Sequence, residues 1–325
     1  MSLFAKELAV GIEAVRQASA ICRRVQKEIA GSSLEKEDRS PVTIADFASQ
    51  AVVCRILTAE FPKDPIIGEE TAADLMSPER RPFLDKVVGL LVPSHPDVKA
   101  ESVCQWIDAG RGETGSRFWT LDPIDGTKGF LRGEQYAVSL ALIVDGQIQV
   151  SILGCPNLSA ADAWDGETGC LFTAVRGQGA SLLRLDGADD SQTVRTSGTA
   201  KPSAARFCES VESGHSAHGR SAQIAELLGI QSTPVRLDSQ AKYGVVARGE
   251  ADAYLRLPTK AGYREKIWDH AGGVLVVEEA GGRVTDVDGK PLEFTHGREL
   301  SANRGVIVTN GLIHDAILEA VAKTA

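Results

Sequence analysis

Apolar positions near the start of the chain recur at helical spacing. Leu8, Ile12, Val15, Ala18, Cys22 and Val25 lie on one face, so about the first 28 residues are predicted to form an amphipathic helix. A second helix is predicted from Ile44 to Glu60, with Phe47, Ala51, Val52, Ile56 and Leu57 at its apolar positions. The pattern then shortens to strand-like runs. Ala137–Val144 and Gln147–Leu153 flank Asp145-Gly146, a two-residue hairpin signal, and Leu171–Val175 and Ala180–Leu185 flank Gly177-Gln178-Gly179. Antiparallel pairing is expected to dominate this half. After the polar stretch Asp186 to Ser191, helix and strand alternate: helical Ile224–Leu228, strand Pro234–Leu237, helical Tyr243–Arg248, strand Ala253–Leu257, then a buried helix from Asp269 to Ala280 that Gly281-Gly282 stops. Gly305–Thr309 reads as a further strand before a closing helix. The expectation is a layered α and β fold with two sheets: an antiparallel N-terminal domain over 1–190 and a smaller α/β domain over 191–325, with the site between them. Residues 78–116, charged and broken by Pro93 and Pro96, read as an insertion.

Composition narrows the ligand more than the fold. The 325 residues suffice for one large core or two ordinary ones. With 35 basic against 44 acidic residues, net charge −9 and no basic run, a nucleic-acid polymer is an improbable partner. Positive charge for an anionic small molecule must therefore be concentrated inside a cleft. Six cysteines lie scattered without a CxxC and read as reduced, mostly buried apolar side chains. The first 24 residues interleave Lys6, Glu7, Glu13 and Arg16 with apolar positions, so no secretory segment is expected; no run is long enough to span a membrane, and cytoplasm is the default compartment. A monomer is the expected state.

Candidate chemistry begins at Trp119-Thr-Leu-Asp122-Pro-Ile-Asp125-Gly-Thr127, where two carboxylates stand three residues apart on a corner of the chain. Clustered ionised acids repel unless cations neutralise them, and oxygen-only ligands suit a hard ion such as Mg²⁺. Taken alone, the same residues also make a solvated turn, since Asp-Pro and Asp-Gly are turn dipeptides. Two further acidic segments accompany it. In Pro65-Ile-Ile-Gly-Glu69-Glu70 only one of two adjacent acids at a strand end can face a metal; Glu69 is the choice, and Glu70 suits the N-terminus of a helix from Thr71 to Leu75. In Trp268-Asp269-His270-Ala271, Asp269 is expected at the helix start as an N-cap, a role compatible with ligation.

These three segments, in this order, resemble the lithium-sensitive, magnesium-dependent phosphomonoesterases that include inositol monophosphatase and fructose-1,6-bisphosphatase. Asp125-Gly-Thr-Lys-Gly-Phe-Leu-Arg-Gly-Glu-Gln-Tyr136, Glu212-Ser-Gly-His215-Ser-Ala-His218, Asp238-Ser-Gln-Ala-Lys-Tyr243 and Tyr254-Leu-Arg256 resemble the 3'(2'),5'-bisphosphate nucleotidase branch. The resemblance spans nearly the whole chain and implies an αβαβα sandwich. It also implies that Glu69, Asp122, Asp125, Asp269 and the Ile124 carbonyl hold roughly two or three Mg²⁺ ions. Asp46 and the Thr127 hydroxyl would orient and deprotonate the attacking water. His215, Ser239, Lys242 and Arg256, with Thr127 and Asp269, would contact the substrate. From the residues alone, Asp46 reads as an exposed acid of the second helix and Lys242 and Arg256 as solvated charges, while Thr127 suits a helix cap. His215 and His218 lack the company a zinc site needs.

The implied reaction is hydrolysis of the 3'-phosphate of adenosine 3',5'-bisphosphate to AMP, with 3'-phosphoadenosine-5'-phosphosulfate as a second substrate and inhibition by Li⁺. An inositol phosphate phosphatase is the alternative. Gly110-Arg-Gly-Glu-Thr-Gly115 satisfies the dinucleotide-binding G-x-G-x-x-G of an oxidoreductase, but a strand-like Phe118-Trp-Thr-Leu follows it where that motif needs a helix. A ligand-binding protein without activity would lack a metal acid, and none is missing.

Overall fold

The long helices that the apolar spacing predicts are α1 (Ala5–Gly31) and α2 (Ser40–Glu60). The computed structural model describes residues 3–31, 40–160, 163–187, 190–211, 218–258 and 262–324. Ala14, Val15, Ala18 and Cys22 give α1 a buried stripe. α2 is buried almost all round from Ile44 to Cys54, because α1, the first sheet and two later helices all pack on it.

Seven strands form the first sheet in sequence order: β1 (Ile66–Gly68), β2 (Arg117–Asp125), β3 (Ala137–Val144), β4 (Gln147–Ser159), β5 (Thr168–Val175), β6 (Ala180–Arg184) and β7 (Ser191–Val194). β1 runs parallel to β2 and every later neighbour is antiparallel. Asp145 and Gly146 adopt φ of 48° and 77°, the left-handed pair that a tight two-residue hairpin turn needs. β7 follows the expected division at residue 190 yet pairs with β6. The 78–116 segment supplies α3 (Arg81–Leu91) and α4 (Ala100–Asp108), both packed on α2. Its G-x-G-x-x-G leads into β2, so the dinucleotide context is absent. The helix expected over Thr71–Leu75 is one turn of 3₁₀ helix, Ala72–Leu75, capped by Thr71.

After α5 (Thr127–Leu131) and the first sheet, the chain builds a second sheet in the order β11-β12-β10-β8-β9 from β8 (Phe207–Glu209), β9 (Val235–Arg236), β10 (Ala253–Arg256), β11 (Arg283–Thr285) and β12 (Val306–Thr309). Its helices are α6 (His218–Leu228), α7 (Ala241–Ala247), α8 (Trp268–Glu279) and α9 (His314–Lys323). α7 and α8 lie between the sheets and touch both, while α1 and α2 cover the outer face of the first and α6 and α9 sit beyond the second. The result is an αβαβα sandwich with three buried apolar layers, the central one built on Phe172, Tyr243, Val274 to Val277 and Val308. α8 can occupy that central layer because of Gly272 and Gly273. A Cβ on Gly272 would lie 2.2 Å from Ser139 Oγ, and one on Gly273 would lie 2.3 Å from the Tyr243 ring. Among the described residues no helix is long and apolar enough to cross a membrane, and the six cysteines are unbridged, all but Cys104 buried.

Candidate active site: an acid cluster facing a cationic wall

Strand register alone brings the first acids together. Gly68 of β1 pairs with Leu121 of β2, so Glu69 leaves its strand beside Asp122. On a regular strand Asp122 and Asp125 would point to opposite faces. The β2–β3 register shifts between them: Asp122 faces Ser139 and Asp125 faces Ala137, so four residues of β2 oppose three of β3. This bulge undoes the alternation and turns both carboxylates toward one cleft. Pro123 suits the bulge because it has no N–H to leave unpaired; its carbonyl accepts from Ser49 Oγ at 3.0 Å, and the Ile124 amide donates to Asp122 Oδ1 at 3.1 Å.

The turn that follows fixes the approach of the second half. Gly126 has φ of 88°, and a Cβ there would lie 2.8 Å from that of Ser239. Ser239 itself takes φ of 68°, an uncommon conformation for a residue with a side chain, and its Oγ accepts from the Ala241 amide at 3.1 Å as α7 begins. The backbone amide of Gln240 donates to Asp125, so the start of α7 is tied to the end of β2.

Between the halves lies a cleft of about 380 Å³. It is lined by the acids and oxygens of Glu69, Asp122, Ile124, Asp125, Thr127 and Asp269 together with Ser239, Lys242, Tyr254, Arg256 and Tyr263. Of the residues expected from sequence, nine therefore share one cavity: Glu69, Asp122, Ile124, Asp125, Thr127, Ser239, Lys242, Arg256 and Asp269. Asp46 is buried behind the acidic end, outside the lining, and couples to it electrostatically through Glu70 and Glu69. His215 lies outside the described residues. One expectation is corrected: Asp269 is the second residue of α8 and Ile267 occupies the N-cap, so the Asp269 carboxylate faces the cleft without serving as the cap. Thr127 likewise is the first residue of α5, whose N-cap is Gly126.

The two sets of lining residues have opposite electrostatics. Burial, reinforced by Glu69, Asp125, Asp269 and Asp46, raises the Asp122 carboxyl well above its ordinary range. Burial and the neighbouring acids push both Glu69 and Asp269 up to about 7, and Asp46 rises for the same reasons. Carboxylates so crowded are short of positive charge. With the Ile124 carbonyl beside them they form a hard, all-oxygen donor set, which fits Mg²⁺. Among the other lining residues, Lys242 is only 3% exposed and no carboxylate among the described residues forms an ion pair with it. Its Nζ donates to the carbonyls of Ser239 at 2.8 Å and Leu237 at 3.4 Å and stands 5.0 Å from the centre of the Tyr254 ring. Burial lowers its pKa, against the pull of Asp125. A buried cation held by neutral groups at a cavity wall is suited to receive an anion.

The sequence assigned no role to several residues at this site. Gln240, Tyr243, Glu265 and His270 are all buried beside the cleft. Glu265, Asp269 and His270 are close enough to share an ion, but both oxygens of Glu265 are engaged, Oε1 by Arg256 and Oε2 by His270. Gln240 lies inside the Asp238–Tyr243 motif, and Glu265 reads as one more solvated charge among Arg264 and Lys266.

The description "Inositol monophosphatase family" matches residues 4–325. A 3'(2'),5'-bisphosphate nucleotidase of Schizosaccharomyces pombe is 44% identical over 340 residues, covering 98% of this chain and 96% of that protein. The enzyme of the same name from Emericella nidulans is 42% identical over 341 residues, covering 95% and 96%. Among solved structures, inositol monophosphatase from Anabaena (Nostoc) aligns over 98% of this chain and 96% of its own with a TM-score of 0.63 at 23% identity, and an IMPase of Thermotoga maritima over 98% of each with a TM-score of 0.64 at 20%. At that identity the likeness speaks to the fold.

Proposed function

The chain belongs to the inositol monophosphatase family, and from that premise we propose that it is a magnesium-dependent 3'(2'),5'-bisphosphate nucleotidase, hydrolysing the 3'-phosphate of adenosine 3',5'-bisphosphate to AMP and phosphate. 3'-Phosphoadenosine-5'-phosphosulfate, which carries the same 3'-phosphate, is the second substrate of this reading. The observation that carries it is the lining of the cleft. An acid cluster and the buried Lys242, which forms no ion pair with a carboxylate among the described residues, share one cavity with Arg256, as a molecule with two anionic groups requires. The names of relatives more than 40% identical over nearly the whole chain point the same way.

In this reading the carboxylates of Glu69, Asp122, Asp125 and Asp269 and the carbonyl of Ile124 hold the metal ions. Bound there, magnesium supplies Lewis acidity to the phosphoryl oxygens and neutralises charge on the leaving alkoxide. The chain's own residues do the rest. Thr127, fixed by the Gly126 turn, orients the attacking water through its hydroxyl, and Asp46 accepts the proton from behind, a contribution of about 10²- to 10⁴-fold. Lys242 and Ser239 receive the remote phosphate, Arg256 steadies the nucleotide beside it, and His215 completes the contacts. Metal ligands come mostly from 1–190 and substrate contacts from 191–325. A monomer in the cytoplasm is part of the same proposal.

The test is phosphate release from adenosine 3',5'-bisphosphate and from inositol 1-phosphate, with Mg²⁺, with EDTA and with added Li⁺. The expected result is Mg²⁺-dependent, Li⁺-inhibited release from the nucleotide. Release confined to the inositol ester would overturn the substrate assignment.

A further inference from the structure

Arg256 ends β10 with its guanidinium at the cleft wall, and a carboxylate stands beside it. Glu265 is about 7% exposed, and its charge is the wrong sign for a site that receives phosphate. Its contacts supply the reason for its presence. Glu265 Oε1 accepts from Arg256 Nε at 3.2 Å, while Oε2 meets His270 Nε2 at 3.3 Å. The other ring nitrogen of His270, Nδ1, is 2.7 Å from the hydroxyl of Tyr243, which is buried in α7. The Glu265 carboxylate accepts from Nε2 of His270, and Nδ1 pairs with the Tyr243 hydroxyl. Both carboxylate oxygens, both ring nitrogens and the hydroxyl of this row have partners, and the row ends on Nε of the Arg256 guanidinium.

We propose that Glu265 is the positioning residue for Arg256, fixing the guanidinium through Nε so that its remaining N–H groups face the nucleotide, with His270 and Tyr243 holding Glu265 in turn. The inference rests on the reading of the cleft as a bisphosphate site. Arginine is a long side chain that loses much rotamer freedom when it binds, and holding it in place beforehand removes that cost from binding. The same pairing divides the work at the wall. Glu265 pairs with Arg256, whereas no carboxylate among the described residues forms an ion pair with Lys242, so Lys242 supplies the net charge and Arg256 the fixed geometry. Because His270 directly follows Asp269 in α8, one helical turn holds the acid cluster and this row together.

The experiment is a double-mutant cycle of Glu265→Gln and Arg256→Ala, read as kcat and KM for adenosine 3',5'-bisphosphate and for adenosine 3'-monophosphate in Mg²⁺. Glu265→Gln is expected to raise KM for the bisphosphate on the order of tenfold, leave kcat within about twofold, and leave the monophosphate KM unmoved. The double variant should be no worse than Arg256→Ala alone, because Glu265 acts through that side chain. Additive losses, equal losses on both substrates, or an unchanged KM would each overturn the proposal. If Glu265→Gln does not fold, Tyr243→Phe, which loosens Glu265 through His270, should raise the same KM by a smaller factor, and an unchanged KM there overturns it equally. A wild-type enzyme that releases phosphate only from inositol 1-phosphate sinks the substrate reading alone. The cycle is then read on that ester, with additivity again the overturning result.

Discussion

The backbone amide of Gln240, at the start of α7, donates to the carboxylate of Asp125, at the end of β2. The Gln240 side chain strengthens that tie. Its Oε1 accepts from Ser139 Oγ at 3.0 Å and from the Gly273 amide at 3.1 Å, and its Nε2 donates to the Trp268 carbonyl at 2.9 Å. One buried amide thus joins β3, α7 and α8 at the point where the acid cluster forms. Gln240→Leu keeps the volume and strips these partners, so it should cost on the order of 2–3 kcal/mol in urea unfolding with the m-value unchanged. The backbone amide that meets Asp125 is kept in this variant, so any fall in kcat/KM reports the loosening of β3 and α8 around the cleft. Wild-type stability in this variant would show that the network does not join the halves.

Asp122 is buried among acids that repel it, so the same arrangement that suits magnesium destabilises the metal-free protein. Asp122→Asn should therefore stabilise the protein in EDTA by roughly 1–2 kcal/mol, seen as a melting point higher by about 2–4 °C per kcal/mol. It should also abolish the further stabilisation that Mg²⁺ gives wild type and lower activity by at least about 10²-fold. Equal melting points for the two proteins in EDTA would mean that the acids are not under mutual strain.

Lys242 offers a test of the cationic side of the lining. Lys242→Met keeps an unbranched apolar side chain and removes the ammonium that stands over the Tyr254 ring and that burial disfavours. The folded protein should lose nothing, or gain slightly, while KM for adenosine 3',5'-bisphosphate rises by tenfold or more, the worth of about one charge-assisted contact. Adenosine 3'-monophosphate should be turned over much as before. A matching rise in KM for both substrates would place Lys242 at the scissile phosphate instead.

Much of this arrangement is legible in the residues, and what is not has identifiable causes. Asp145-Gly146 announces its hairpin because few residues accept two successive left-handed conformations. The acids at Glu69, Asp122, Asp125 and Asp269 stand out because buried carboxylates need a reason to cluster. The bulge that turns Asp122 and Asp125 to one side is invisible in the pattern, since strict alternation separates them and only the register against β3 reveals the extra residue. Asp269 misleads as an N-cap because the helix begins at Trp268 and its N-cap is Ile267, two residues before Asp269, a boundary that composition does not define. Glu265 and His270 are hidden for another reason. Their value lies in pairings with Arg256 and Tyr243 that bring together a strand end, a loop and two helices, and a charge read along the chain defaults to solvent.

His314, far from the cleft, supplies a pH test of the second half. Its side chain is fully buried, with Nε2 3.0 Å from Thr285 Oγ1 and Nδ1 2.9 Å from Thr309 Oγ1, so β11, β12 and α9 meet on one imidazole. Burial, helped by Arg283, pushes its pKa down to about 4, against about 6.5 for an unfolded chain. Between those values the unfolded chain binds a proton that the native protein refuses. Stability from this group is therefore complete above about pH 6.5 and is lost progressively as pH falls toward 4, so it rises with pH across that window. The full difference is on the order of 3 kcal/mol. Urea unfolding of wild type and His314→Gln, both in EDTA from pH 7 to pH 4.5, isolates it, because the acid cluster titrates identically in the two proteins and cancels. Wild type should lose about 2–3 kcal/mol more than the variant on acidification, and parallel pH profiles would show that His314 does not stay neutral in the fold.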